Sequence, residues 1–147
     1  MSDWFVGFRP SPKSPQNLSR HVYSLETLTT VPVSLLFSRL TQREGIDVVI
    51  DETVRFDARH GGKLRFLSAG EEGYGGTYSR IDVPKRVILL TEKYGEIDVR
   101  LREKGPSTLV SLRATKLAAA AEEAQWRELI DRVMERFVTP EGDFPHG

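Results

Sequence analysis

The chain predicts an α+β fold, a curved antiparallel sheet of about six sequential strands wrapped around one long C-terminal helix, with a short helix after the first strand. Three observations predict it. Short segments between Ile46 and Thr115 alternate apolar and polar residues and are separated by Gly- and Pro-containing turns. A segment around Gln125-Trp126-Arg127-Glu128-Leu129-Ile130 repeats its apolar residues every three or four positions, the period of one buried helix face. Between the first strand-like segment and the rest, Pro32 stands where the first turn of a short helix accepts a proline.

His21 to Thr30 alternates with period two and is rich in residues suited to a pleated surface, which makes it the first strand. The short helix runs to about Leu40, with Leu35, Leu36, Phe37 and Leu40 as its apolar stripe. Ile46 to Ala58 is the second strand, with Val48, Ile50, Val54 and Phe56 as its apolar members, interrupted at Asp51-Glu52. Arg59-His60-Gly61-Gly62 turns the chain, Lys63 to Ser68 is the third strand, and Ala69 to Gly73 is a second turn. Tyr74 to Val83 is the fourth strand, with Tyr78 and Ile81 on opposite faces, and Pro84 closes it because proline cannot donate within a ladder. In the fifth strand, Arg86 to Tyr94, the run Val87-Ile88-Leu89-Leu90 is apolar on both sides and predicts a central strand covered on both faces. Glu96 to Arg102 is the cleanest alternation, with Ile97, Val99 and Leu101 inward and charges outward, and Thr108 to Thr115 is the last strand. The helix is expected from about Leu117 to Phe137, started by the strong helix formers Ala118 to Ala121. Its buried face carries Trp126, Leu129, Ile130, Val133 and Phe137, and Glu123–Arg127 and Glu128–Arg132 pair on the wet side.

Outside the domain, expected over residues 20–139, lie a tail through residue 19 and another over 140–147. Pro10, Pro12 and Pro15 keep the first tail extended, and Trp4, Phe5 and Phe8 form an apolar cluster that docks on the domain surface, or else serves as a short motif or pocket plug.

Composition excludes several function classes. With no cysteine there is no disulfide framework, thiolate metal site or cysteine nucleophile, and a reducing, cytoplasmic setting is the default expectation. A chain of 147 residues does not need such staples, because it can bury roughly 68–70% of its unfolded surface. The 21 basic and 21 acidic residues are interspersed, which argues against nucleic-acid binding. No apolar run is long enough to span a membrane. His21, His60 and His146 are scattered and expected to be exposed, so neither a metal site nor a histidine mechanism is predicted, and no cofactor is called for. Gly73-Tyr74-Gly75-Gly76 leads into a strand, so it offers no helix N-terminus to a phosphate.

Three stretches carry a family resemblance. Asp57-Ala58-Arg59-His60-Gly61-Gly62 matches a D-x-R-x-G-G turn. Gly76 to Val87 follows a G-x-[FY]-x-x-[IV]-x-P-P-x-[RK]-[LV] strand–turn–strand except at Val83, where the pattern has its first proline, and Gln125 to Ile130 matches a tryptophan-anchored helix start. Over residues 21–137 the chain resembles the START/Bet v 1-like (SRPBCC) superfamily, in its activator-of-Hsp90-ATPase-homologue-like bacterial branch. The resemblance implies a helix-grip fold and a cavity between the inner sheet face and the C-terminal helix, lined by Phe37, Phe66, Tyr78, Leu89, Val99, Leu112, Trp126, Ile130 and Val133. Equally, such side chains can fill a solid core, since any helix must bury its apolar stripe. The implied ligand is a small apolar or aromatic molecule, a lipid or polyketide-like compound, bound without evident catalysis. A cyclase- or hydrolase-like reaction would use Tyr78, Glu92 or Arg80, with Tyr23 and Tyr94 as further polar groups. A chaperone-associated interaction module would instead use the outer face, where Glu96, Asp98, Arg100 and Arg102 lie. The chain departs from the family after Leu40, where only Thr41 to Gly45 precede Ile46, which implies a more open or smaller cavity. An exposed edge strand permits a monomer or a weak dimer.

Overall fold

The structure, a computed structural model, describes residues 17–42, 53–56, 63–67 and 74–140. The elements are β1 (Leu18–Thr29), α1 (Val33–Thr41), β2 (Thr53–Phe56), β3 (Lys63–Leu67), β4 (Tyr74–Asp82), β5 (Arg86–Thr91), β6 (Gly95–Lys104), β7 (Ser107–Ala119) and α2 (Glu123–Val138). All neighbouring strands pair antiparallel in one seven-stranded sheet ordered β1-β7-β6-β5-β4-β3-β2. Successive strands from β2 to β7 are neighbours, and β1 returns to pair with β7, so among the described residues the sheet ends in β1 on one side and β2 on the other.

The inner face can be read across the ladders, because directly opposed residues share a face. One row runs Tyr78, Leu89, Ile97, Ala114, Tyr23, and the next runs Ile81, Val87, Val99, Leu112, Leu25. Ile81 therefore shares the inner face with Tyr78, against the expectation from strict alternation. A register shift between Tyr78 and Arg80 inserts one extra residue and inverts every side chain after it. Ile97, Val99 and Leu101 are buried as their alternation predicts. Strand β5 does occupy the middle of the sheet, but among the described residues it is covered on one face only. Val87 and Leu89 are buried, whereas Leu90 on the outer face is exposed, and α1 and α2 pack on the inner side.

The helix starts later than expected. Ala118 and Ala119 continue β7, Ala120–Glu122 form one 3-10 turn, and α2 begins at Glu123. Alanine's helix propensity is worth less than one kcal/mol per residue, roughly the value of one ladder hydrogen bond. Pairing of Leu18 with Ala119 and Ser19 with Ala118 therefore holds this segment in the sheet. Once begun, α2 buries Trp126, Ile130, Val133, Met134 and Phe137 along one stripe, with Leu129 half-buried beside them. On its wet side Arg127–Glu123 (2.9 Å) and Arg132–Glu128 (3.6 Å) pair as expected.

The C-terminal end of α2 is bonded by side chains from distant elements. Arg39, buried in α1, donates from Nη1 to the carbonyls of Phe137 (2.8 Å) and Thr139 (2.7 Å). Thr29 Oγ1 donates to the Val138 carbonyl (2.8 Å), and Thr139 Oγ1 to that of Glu135 (2.6 Å). Helix-terminal carbonyls have no partner within the helix, and a guanidinium there also meets the negative end of the helix dipole. These bonds join β1, α1 and α2, and Pro140 follows where the helix stops.

Candidate functional site

Strands β4 to β7 each place one candidate residue on the inner face. Tyr78, Leu89, Val99 and Leu112 are all nearly inaccessible, as are Trp126, Ile130 and Val133 of α2 opposite them. These seven belong to one cluster of buried apolar residues, and Phe37 of α1 packs half-buried against it. The ninth candidate, Phe66, has its side chain outside the described residues, as do the expected strand residues before Thr53 and the turn holding His60. Sequence reasoning did not include Met134, Tyr94, Val87 or Val110 in this cluster. Met134 follows Ile130 by four positions, a spacing that could have found it.

Trp126 is the anchor of the helix side. Its indole Nε1–H donates to the Tyr94 carbonyl at 3.0 Å, so the turn between β5 and β6 forms its seat. Thr91 Oγ1 accepts from the Tyr94 amide at 2.8 Å, and Lys116 Nζ donates to the Lys93 carbonyl at 2.8 Å, which ties that turn to β7. His21 and Tyr23 of β1 lie against the indole with ring centroids 6.4 and 6.5 Å away.

His21 is buried rather than exposed, which corrects the expectation that it lies on the surface. The alternation of β1 puts it on the inner face with Tyr23 and Leu25. Its Nε2 lies 3.0 Å from the Ala118 carbonyl, and its Nδ1 lies 3.6 Å from Glu123. Burial under an aromatic ring with both nitrogens near oxygens accounts for it as a structural residue. His60 and His146 lie outside the described residues. Among the described residues, no cluster of His, Asp and Glu has the makings of a metal site.

The polar candidates do not converge. Tyr78 is buried, and its hydroxyl donates to the Leu40 carbonyl at the end of α1. Glu92 is exposed and accepts from the Gly75 amide at 3.0 Å, while Arg80 on the outer face pairs with Asp82 at 2.8 Å. Tyr23 donates to Asp131 at 2.5 Å, with the Arg127 guanidinium 4.8 Å above its ring. That bond, with lesser help from burial, raises the Tyr23 pKa above the ordinary 10.0.

Burial alone pushes the Tyr78 hydroxyl well above the same value. The unfolded chain loses this proton near pH 10 and the folded chain does not, so the stability tied to protonated Tyr78 is complete below about pH 10 and is lost as pH rises beyond it. Tyr78→Phe should lower stability by about 1–3 kcal/mol at neutral pH, because the Leu40 carbonyl loses a buried donor. The variant should then lose less further stability than the wild type between about pH 8 and about pH 11, measured by urea unfolding. Equal alkaline losses would mean that Tyr78 ionises freely in the folded chain.

On the outer face, Arg86 grips Asp98 with two bonds, Nε to Oδ1 at 3.0 Å and Nη2 to Oδ2 at 2.8 Å. The Asp98 bond is the main reason that the Arg86 pKa is raised. Arg100 approaches the same carboxylate at 3.7 Å. The expected charged outer face is present, with a shallow groove of about 520 Å³ along Ser24, Glu26, Arg100 and Arg113.

Comparison with known proteins agrees with this geometry. The family described as Activator of Hsp90 ATPase homolog 1-like protein matches residues 30–139. No curated protein matches the sequence. Among solved structures, CalU16 from Micromonospora echinospora is similar with a TM-score of 0.56 and 22% identity, over 86% of this chain and 89% of that one. A protein of unknown function from Staphylococcus aureus, SA2116, gives 0.65 and 14%, over 82% and 95%. The Aha1 dimer from Colwellia psychrerythraea gives 0.61 and 14%, over 83% and 99%. At these identities the likeness is one of fold. Among the described residues, no helix is long and apolar enough to cross a membrane.

Proposed function

This chain belongs to the Activator of Hsp90 ATPase homolog 1-like family, with its helix-grip fold, and from that membership we propose that it binds a small apolar or aromatic molecule between the inner sheet face and α2. The observation that carries the reading is the convergence of Tyr78, Leu89, Val99 and Leu112 from four strands on Trp126, Ile130 and Val133 of one helix. Phe37 and Phe66 are proposed to complete the lining. Within this apolar surround the Tyr78 hydroxyl and the indole N–H are polar groups able to orient a ligand, after exchanging their present carbonyl partners. Burial of ligand surface, at about 25 cal/mol per Å², would supply the affinity. Tyr78, Glu92 and Arg80 point to three different places, so the proposal assigns them no catalytic step.

The test is an amide NMR titration of the labelled protein with fatty acids, flavonoids, sterols and aromatic metabolites. Saturable shifts centred on Tyr78, Leu89, Trp126 and Ile130, weakened in Tyr78→Phe, are the expected result. A well-dispersed folded spectrum that no compound moves would overturn the reading and leave these residues as solid core.

A further inference from the structure

The two edges of the sheet are built differently. Strand β2 is four residues long, whereas β1 is twelve, from Leu18 to Thr29. Exposed edges are normally blunted by short length, lysine, proline or a bulge, because their outward N–H and C=O groups will pair with any available strand. Strand β1 is neither short, bulged nor interrupted by proline, and the charges it does carry, Arg20 and Glu26, are of opposite sign. It contains no Lys, Pro or Gly, and it pairs with β7 through twelve consecutive partners without a register shift. Among the described residues, no backbone group outside the ladder bonds to positions 18–28. The outer face of the same strand carries Leu18 (56% exposed), Val22 (38%) and Leu28 (60%), and Leu117 of β7 (63%) lies opposite Arg20 between Leu18 and Val22.

We propose that β1 pairs antiparallel with β1 of a second copy of this chain about a two-fold axis through Tyr23, joining two seven-stranded sheets edge to edge. The partner is read from the strand's own sequence. About that axis, on the outer face, Leu18 meets Leu28 of the second copy, Arg20 meets Glu26, and Val22 meets Ser24, and each pair occurs twice by symmetry. Directly opposed unlike charges and apolar pairs are the contacts that stabilise antiparallel strands. The adjacent in-phase registers are worse. An axis through Val22 sets Leu18 against Glu26, and one through Ser24 sets Arg20 against Leu28 and Val22 against Glu26. One register therefore satisfies both charges and both leucines, and the outer faces of the two sheets stay on the same side. The inner side brings His21 to Leu25 and Ser19 to Thr27, with Tyr23 at the axis held by its own Asp131. The interface does not depend on any ligand in the interior.

Sedimentation or light scattering over a concentration series should show a reversible dimer. Arg20→Glu and Glu26→Arg, each of which sets like charges opposite one another twice, should weaken it about tenfold or more, and the double exchange R20E/E26R should restore it. Hydrogen exchange on the unaltered protein should show alternate amides within 18–28 becoming slower as concentration rises. A chain that stays monomeric up to about 1 mM, a dimer unmoved by either single exchange, or failure of the double exchange to rescue would overturn the proposal. Should the variants fail to fold, the hydrogen exchange of the wild type decides alone, and concentration-independent exchange at 18–28 overturns it.

Discussion

Trp126→Ala should remove about 3–5 kcal/mol of folding stability, a large part of the roughly 5–15 kcal/mol available to a domain. The indole is 3% exposed, rests against His21 and Tyr23, and closes the end of the inner face where α2 begins. Truncation to a methyl group opens a cavity whose walls cannot collapse, because the turn below belongs to β5 and β6 and the rings beside it to β1. Trp126→Phe separates the two contributions. It keeps most of the apolar volume but takes the N–H from the Tyr94 carbonyl, and should cost about 1–3 kcal/mol. Urea unfolding followed by circular dichroism measures both. A loss below about 1 kcal/mol for the alanine variant would mean that the start of α2 frays from the sheet in solution and that Trp126 anchors nothing.

What the sequence made legible follows the range of the forces involved. Ile97, Val99 and Leu101 could be read directly, because a strand with one wet face records its orientation in its own alternation. The stripe of α2 was equally plain, since a helix face is also a local pattern. Strict alternation puts Ile81 on the wrong face because the bulge beside Ser79 exists only relative to β5, and nothing within β4 announces it. The alanine run predicts helix because propensity is local, whereas its pairing with Leu18 and Ser19 reaches across the whole chain. His21 and Arg39 were missed as buried residues for the same reason. Their carbonyl partners Ala118, Phe137 and Thr139 lie 97, 98 and 100 residues away. For the candidate site, the inner-facing positions were recoverable from periodicity. The seat of Trp126 on the Tyr94 carbonyl was not, because a backbone acceptor leaves no residue-type signature.

That seat makes Gly95→Ala the other substitution with a large effect. Gly95 ends the β5–β6 turn at φ +81°, a conformation that costs a residue with a side chain about 1–3 kcal/mol by itself. The added Cβ would also lie 2.3 Å from the Thr115 carbonyl oxygen and 2.9 Å from the Lys116 Cβ, and a backbone oxygen in the middle of the sheet cannot turn aside as a flexible side chain would. Gly105 is the internal control. It has a similar φ of +60°, but a Cβ there meets nothing within 4 Å, so Gly105→Ala should show the conformational cost alone, about 1–2 kcal/mol. Gly95→Ala should reach about 3–5 kcal/mol, near the upper end of single-residue effects. The excess should also be coupled to the indole. Relief of the clash requires the turn to move away from β7, and the carbonyl next to Gly95 is the one that Trp126 bonds. In a double-mutant cycle, Gly95→Ala and Trp126→Phe should therefore cost less together than the sum of their separate losses, by about 0.5–3 kcal/mol. Additivity to within about 0.5 kcal/mol would instead show that the strain is absorbed along β7, and that the turn holds Trp126 independently of how it meets the sheet.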